Sequence, residues 1–286
     1  MNSAEKVKHY LNQIEPTPMG RFFYRFIPFR RPIVMANIAL ILGETLNEAE
    51  QIKLAQCFYG HLAKFVKENL KLRFSSTKAV RDQVDIRGLE YLLTAMHKDK
   101  GVLILSGHFG NWEFTPVGAF LQLSEQFRSK KLYCIRKTFS HKTVDDLVFR
   151  PFRKAGIGVI PKEKGLRQTV KALRDSNAVI IVFDQHSSPG KEGIKAEFFN
   201  KPAGTYRSLA KLAKTTEAAV IPVSYYRLSS GRQVLEFHPE IPFMQHPDAE
   251  EEQRLNSQAY NNFIEQAIVA HPEQWIWMHR RWRKFS

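Results

Sequence analysis

Short apolar runs alternate with helical patterns along most of this 286-residue chain, and this alternation limits the folds it can adopt. Five runs have the length and composition of buried strands. They are Val102–Leu105, Lys131–Ile135, Gly156–Ile160, Ala178–Phe183 and Ala219–Tyr225. Because helical segments lie between them, the pattern predicts an α/β fold with a mostly parallel central sheet flanked by helices. Val80–Ile86 and Val234–His238 are predicted to be further strands.

The beginning of the chain is predicted to be helical. Apolar residues recur at helical spacing between residues 33 and 72, and Asn47 with Glu50 forms an approximate capping box. We find no internal repeat, low-complexity tract or linker. We therefore predict one domain over residues 1–286, with a helical part at 1–75 and an α/β core at 76–286. Pro242–Glu252 is predicted to be a surface connection before a helix at Arg254–Ala270.

The stretch from Ser106 to Glu113 reads Ser-Gly-His-Phe-Gly-Asn-Trp-Glu and follows the first buried run. A neutral imidazole can accept the proton of a hydroxyl group as that hydroxyl attacks a carbonyl. The imidazole works best when a carboxylate holds its other ring nitrogen. We therefore predict His108 as a general base and Glu113 as the residue that orients it. In the alternative reading, His108 caps a helix and Glu113 is solvated.

Three strand ends carry polar residues, namely His108, Arg136 and Asp184. Ligands of open α/β sheets bind at the carboxyl ends of the strands, so convergence of these ends would place a base, a cation and a second carboxylate together. The alternatives are a surface charge for Arg136 and a turn cap for Asp184. Gly204-Thr205 is predicted to cap the next helix and to leave its N–H groups open to an anion.

Composition favours acidic partners. The formal net charge is +15 and the sequence pI is about 9.8, which points to nucleic acid, an anionic membrane or an acidic protein. Cys57 and Cys134 are predicted to be buried thiols. The sequence shows no secretory signal and no span of roughly 20 apolar residues. In Met19–Arg31, aromatic residues interleave with arginines, as in segments of the membrane interface; burial of these phenylalanines in the core is the alternative.

Several segments together resemble one family. The phrase around His108 is similar to the His-x4-acid motif of glycerolipid acyltransferases, and His-Phe-Gly-Asn-Trp-Glu resembles the late lipid A acyltransferases, the lauroyl and myristoyl transferases. The similarity covers roughly residues 33–283, and only the His108 phrase is specific. The other similar segments are Asn37–Leu40, Leu46–Glu50, Arg87–Leu92, Arg136, Asp184-Gln185, Phe198-Phe199 with Pro202, and Pro272–Arg281.

The resemblance implies a glycerolipid acyltransferase-like fold and the transfer of a fatty acyl chain from acyl-acyl carrier protein to a hydroxyl of a lipid A precursor. It implies no cofactor and no metal, a membrane-proximal helical part, and a peripheral place on the cytoplasmic face of the bacterial inner membrane. In the absence of a predicted transmembrane span, the chain departs from many members. The residues then expected in the site are His108 and Glu113 as catalytic groups, and Gly110, Asn111, Arg136, Asp184, Gln185 and Arg207 as substrate-binding groups.

Other functions fit the sequence less well. A lysophospholipid or another glycolipid remains an alternative acceptor. A hydrolase would need a Gly-x-Ser-x-Gly elbow, and the first glycine is missing before Ser106. A module that binds nucleic acid by charge alone would leave the His108 phrase without a purpose, so we predict no nucleic-acid partner. For Trp275 and Trp277 both a lipid contact and a place in the core stay open.

Overall fold

The computed structural model describes residues 2–27, 29–123, 130–137, 141–163, 165–190 and 192–283. Its first elements are α1 (Ser3–Leu11), α2 (Pro18–Phe26), α3 (Arg31–Leu42), α4 (Glu48–Phe74), α5 (Thr77–Arg81), β1 (Val84–Arg87), α6 (Leu89–Met96), β2 (Val102–Ser106) and α7 (Phe114–Leu123). Then follow β3 (Leu132–Arg136), α8 (Lys142–Lys154), β4 (Ile157–Pro161), α9 (Leu166–Arg174), β5 (Ala178–Val182), β6 (Gly193–Phe198), β7 (Lys201–Tyr206), α10 (Ser208–Thr216), β8 (Ala219–Arg227), β9 (Gln233–Phe237), α11 (Ala249–Ala270) and a 3₁₀ turn at Pro272–Gln274.

The central sheet has seven strands in the order β1-β9-β8-β2-β5-β3-β4. All neighbouring strands are parallel except β8 and β9, which pair antiparallel. This arrangement confirms the predicted mostly parallel sheet with flanking helices. β2 lies at the centre with all five of its residues buried, as expected of a strand covered on both faces.

The helical beginning of the chain is also confirmed. Asn47 accepts the N–H of Glu50 at 2.9 Å while the Glu50 carboxylate accepts the N–H of Asn47, so the predicted capping box starts α4. α2 packs closely on α4, since a Cβ at Gly20 would lie 2.3 Å from the carbonyl oxygen of Gln56. None of the helices in the described ranges is long and apolar enough to cross a membrane.

Three local predictions are wrong. A short helix, α5, occupies the first part of the predicted strand Val80–Ile86, and the strand begins only at Val84. α11 begins at Ala249 because Asp248 caps it, inside the predicted surface connection. Gly204 and Thr205 lie in β7 of an antiparallel β6–β7 hairpin and do not cap α10.

Candidate active site

The carboxyl ends of β2, β5 and β3 bring the predicted polar residues to one edge of the sheet. β5 pairs with both β2 and β3, so the residues that follow these three strands are neighbours. His108 comes two residues after β2, Asp184 two residues after β5, and Arg136 ends β3. The predicted convergence of the three strand ends is therefore present in the structure.

Asp184, and not Glu113, holds the ring of His108. The Asp184 Oδ1 atom lies 2.9 Å from His108 Nδ1, and its Oδ2 accepts the His108 main-chain N–H, also at 2.9 Å. Trp275 Nε1 donates a third hydrogen bond to Oδ2 at 2.9 Å. A carboxylate only accepts hydrogen bonds, so Nδ1 carries a proton, and in the neutral form of the ring the lone pair is on Nε2. The side chain of His108 is 18% exposed.

The charge of Asp184 is well stabilised. Burial of the carboxyl raises its pKa, but the charge and hydrogen bonds of His108, with the Trp275 hydrogen bond, outweigh burial and lower the pKa to about 2. Asp184 is therefore ionised throughout the neutral range. The predicted pairing of Glu113 with His108 is wrong, and the turn-cap alternative for Asp184 does not describe its contacts.

Glu113 pairs with Arg136 instead. The two terminal nitrogens of the guanidinium donate hydrogen bonds to the two carboxylate oxygens. The bond from Nη1 to Oε2 is 2.8 Å long. The guanidinium also lies over the rings of Phe149 and Phe152, with Cζ 5.3 and 4.8 Å from their centroids. Such a bidentate, stacked arrangement fixes the orientation of the cation. The alternative of Arg136 as a free surface charge is thus excluded.

The loop that carries His108 turns at Gly110, which has a left-handed φ of +58°. A Cβ at this position would lie 2.3 Å from the carbonyl oxygen of Tyr225, so the close approach requires glycine. The N–H of Gly110 donates to the carbonyl of Gln274 at 3.0 Å, and its own carbonyl lies 3.1 Å from His61 Nε2. Both main-chain groups of Gly110 are therefore engaged within the protein.

The side-chain donor and acceptor of Asn111 both make hydrogen bonds within the protein. It is fully buried, its Nδ2 donates to Glu68 Oε2 at 2.8 Å, and its Oδ1 accepts the N–H of Phe114 at 3.0 Å. It thus caps the start of α7. The geometry shows Gly110 and Asn111 shaping the loop, and their predicted contact with substrate stays a prediction.

A buried polar network supports the same loop from below. Arg227 Nε donates to Glu68 Oε1 at 2.8 Å, and Arg227 Nη1 lies 2.9 Å from His61 Nδ1. Burial, followed by the charge of Arg227, holds the pKa of His61 well below its ordinary value, so the ring is neutral and its Nε2–H donates to Gly110. Sequence reasoning missed Glu68 and Arg227, since only the fold brings α4 next to the end of β8.

The remaining predicted residues have different positions. Gln185 Nε2 lies 3.5 Å from His108 Nε2, at the limit of a hydrogen bond. Arg207 donates through Nε and Nη2 to the carbonyl of Gly193, at 3.2 and 2.9 Å, and no contact of the described residues joins it to His108. Trp275 and Trp277 are fully buried, so the core alternative is correct for both. Lys284 and Phe285, which follow them near the carboxyl end, lie outside the described residues.

Two aromatic side chains, Trp112 and Phe65, pack in sequence beside the His108 ring. The ring of Trp112 meets it edge-to-face with centroids 5.1 Å apart, and Phe65 lies 4.2 Å from Trp112 on the other side. Among the described residues, no group of His, Cys, Asp and Glu is arranged to hold a metal ion. The described side chain in edge-to-face contact with the His108 ring is thus an apolar one, Trp112.

The family model of bacterial lipid A biosynthesis acyltransferases matches residues 15–284. A lipid A biosynthesis acyltransferase of Haemophilus influenzae is 21% identical over 91% of this chain and 85% of its own length. A lipid A biosynthesis lauroyltransferase of Escherichia coli is 22% identical over 93% and 83%. A phosphatidylinositol mannoside acyltransferase of Mycolicibacterium smegmatis is 21% identical over 65% and 60%.

Proposed function

Because this chain belongs to the bacterial lipid A biosynthesis acyltransferases, we propose that it transfers a fatty acyl chain from an acyl-acyl carrier protein thioester to a hydroxyl of a lipid A precursor or a similar glycolipid. The observation that carries the proposed mechanism is the His108–Asp184 pair, which holds Nδ1 of the ring and leaves Nε2 as the nitrogen that can act on a substrate. This nitrogen serves as the general base.

The reaction is a direct transfer without a covalent enzyme intermediate. As the acceptor oxygen attacks the thioester carbonyl, its proton passes to His108 Nε2, and Asp184 stabilises the imidazolium that forms. Collapse of the tetrahedral species breaks the carbon–sulfur bond, and the departing thiolate takes the proton back. The products are an ester and a free thiol, and the base is restored.

Arg136 supplies the fixed positive charge of the site. Glu113 and the rings of Phe149 and Phe152 hold its guanidinium in one orientation. The free-energy cost of reorienting this cation is therefore small when negative charge develops nearby. We assign it to attract the phosphate of the acceptor or donor. Glu113 then acts through Arg136 and not through His108. Gln185 lies beside Nε2 and is placed to contact the acceptor hydroxyl.

A glycolipid acceptor other than a lipid A precursor is a second candidate. Relatives of two kinds match this chain with similar identities, and one kind is named for phosphatidylinositol mannoside. Both names describe a glycolipid, so the sugar hydroxyl is the shared chemistry. A lysophospholipid is an alternative acceptor. Lipid hydrolysis is a less favoured alternative to acyl transfer.

We further propose that the enzyme works peripherally at an anionic membrane, on the cytoplasmic face of the bacterial inner membrane. On and just after α2, Phe22, Phe26 and Phe29 are at least half exposed. Arg21 and Arg25 lie among them. This combination of aromatic and basic side chains suits the interface of a bilayer.

The decisive experiment offers the protein acyl-acyl carrier protein, acyl-coenzyme A and a panel of lipid acceptors, and detects products by mass. We expect one acylated glycolipid and release of an equal amount of thiol. His108→Ala should lower the turnover number by about 10²–10⁴, whereas His97→Ala on the exposed end of α6 should leave it unchanged. Free fatty acid without an acylated acceptor would instead establish a hydrolase.

A further inference from the structure

A shallow groove lies between the end of α4 and the outer side of α8. Its apolar lining includes Leu72, Val117 and Leu147, and its basic lining includes Arg73, Arg150 and Lys154. We call these six residues the α4–α8 groove. No lining residue that the structure describes is acidic.

One apolar side chain of the groove is well exposed: Leu147, at 53%, while Leu72 and Val117 are buried. Exposed apolar surface beside basic side chains is typical of an interaction site. The groove thus offers a partner both apolar contact and positive charge.

The basic residues of the groove are not neutralised within the described part of the chain. Arg150 and Lys154 have no carboxylate within ion-pair distance there, whereas Arg153, on the same helix, pairs with Asp146 at 3.0 Å. Arg73 donates to the main-chain carbonyl of Asn69 and to no acid. The field of these cations is therefore available to an acidic partner.

Two helices, α7 and α8, connect the groove to the proposed active site. α7 begins at Phe114, next to Glu113, and Val117 follows four residues after Glu113, which is about 6 Å along a helix axis. On α8, the rings of Phe149 and Phe152 carry the Arg136 guanidinium, while Leu147 and Arg150 line the groove. A partner seated there would sit within reach of the site by an extended prosthetic arm.

Shape favours a protein helix over a lipid bilayer as the occupant. The groove is a depression of the surface, whereas a bilayer surface contacts protruding side chains such as those of α2. An amphipathic helix can lay an apolar stripe into such a groove and set acidic residues against the basic rim. We propose that the α4–α8 groove docks an acidic helix of the carrier protein that delivers the acyl thioester, an inference that rests on the carrier-borne donor of the proposed function.

The test measures binding of acyl carrier protein to the full chain and to the variant Arg150→Glu/Lys154→Glu. Both residues are exposed, so the exchange should not disturb the core. We expect the Kd for the carrier, and the KM for the acyl-carrier thioester, to rise by at least about tenfold. The turnover number with a small acyl-pantetheine thioester, which has no carrier protein, should stay unchanged.

The matched control is Arg167→Glu/Arg174→Glu on α9, which changes the net charge equally at exposed positions outside the groove. The control should bind the carrier as the natural chain does. Equal weakening by both variants, or none by the groove variant, would overturn the inference. So would a groove variant that binds the carrier normally but loses binding to phosphatidylglycerol vesicles. Failure of transfer from every donor would refute the proposed function separately, because carrier binding is measured without catalysis.

Discussion

Asp184 accepts three hydrogen bonds in a buried position, and two of them come from His108. The main-chain bond fixes the position of the loop and the ring bond fixes the tautomer. One carboxylate thus sets both the place and the protonation pattern of the proposed base. Trp275 ties this carboxylate to the segment near the end of the chain, which explains why that tryptophan is fully buried.

The lowered pKa of Asp184 makes a contribution to stability that depends on pH. The ordinary pKa is 3.8 and the folded value is about 2, so the ionised carboxyl stabilises the fold above pH 3.8, and the contribution is lost as the pH falls through 2. Its size is on the order of 2 kcal/mol. Between pH 5 and pH 2, the free energy of unfolding of the natural chain should fall. For Asp184→Asn we expect this decrease to be smaller by about 2 kcal/mol.

Urea denaturation over a pH series measures this difference. Asp175→Asn serves as the control because it removes an exposed carboxylate that pairs with Lys171 on the surface. The control should follow the natural chain. An acid dependence shared by all three proteins would mean that the Asp184 carboxyl is not held as the geometry indicates.

The site was only partly predictable at the level of single residues. The residue types at the ends of the strands indicated His108, Arg136 and Asp184 correctly as neighbours. The partner of His108 was assigned from closeness along the chain, which favoured Glu113. The order β2-β5-β3 places Asp184 between the other two, and this order cannot be read from the sequence. Glu113 lies at the start of α7, where it reaches Arg136 on β3.

The loop between β2 and α7 is the element on which the position of His108 depends. It is held by the left-handed turn at Gly110 and by the network that includes His61. We expect Gly110→Ala to lower the turnover number strongly and to destabilise the fold by about 1–3 kcal/mol, since the methyl group would strain the turn and press on the Tyr225 carbonyl. Chemical denaturation and acyl-transfer rates measure the two effects.

Gly156→Ala is a control that separates the backbone strain of a left-handed φ from the steric clash with the Tyr225 carbonyl. Gly156 has a φ of +76°, but a Cβ there meets nothing within 4 Å. This control should show a backbone cost with no loss of turnover. If the two alanine variants have equal activity, the loop does not depend on close packing at Gly110.

At the level of elements, periodicity predicted the parts of the fold with strong local signals. The five apolar runs became β2, β3, β4, β5 and β8. Burial on both faces explains the continuous apolar residues of β2, β5 and β8, whereas β3 and β4 are only partly buried. The β6–β7 hairpin was missed, since its strands carry Lys, Pro and Gly and pair only with each other. Its stability comes from tertiary contacts such as Asn261 Nδ2 with the carbonyl of Glu197 at 2.7 Å, which no local pattern reveals.

At the level of the whole molecule, two surfaces share basic and apolar character but differ in shape. The α4–α8 groove is concave, whereas α2 projects Phe22 and Phe26, 50% and 68% exposed, away from α4. The buried side of α2 is fixed by Gly20 against Gln56 and Gly60. A net charge of +15 draws the molecule to anionic surfaces in general, so charge alone cannot orient it. We expect the projecting rings to supply that orientation if the proposed peripheral binding is correct.

We therefore expect the protein to bind vesicles of equimolar phosphatidylglycerol and phosphatidylcholine with α2 against the lipid. Phe22→Ser/Phe26→Ser should weaken binding by about tenfold or more, because each ring loses the gain from transfer out of water. Leu166→Ser/Tyr91→Ser, which removes two exposed apolar residues elsewhere, should bind like the natural chain. Co-sedimentation measures all three. Since the net charge is the same in each protein, equal loss in both variants would refute a specific role for α2, and loss in the α2 variant alone would orient the molecule on the membrane.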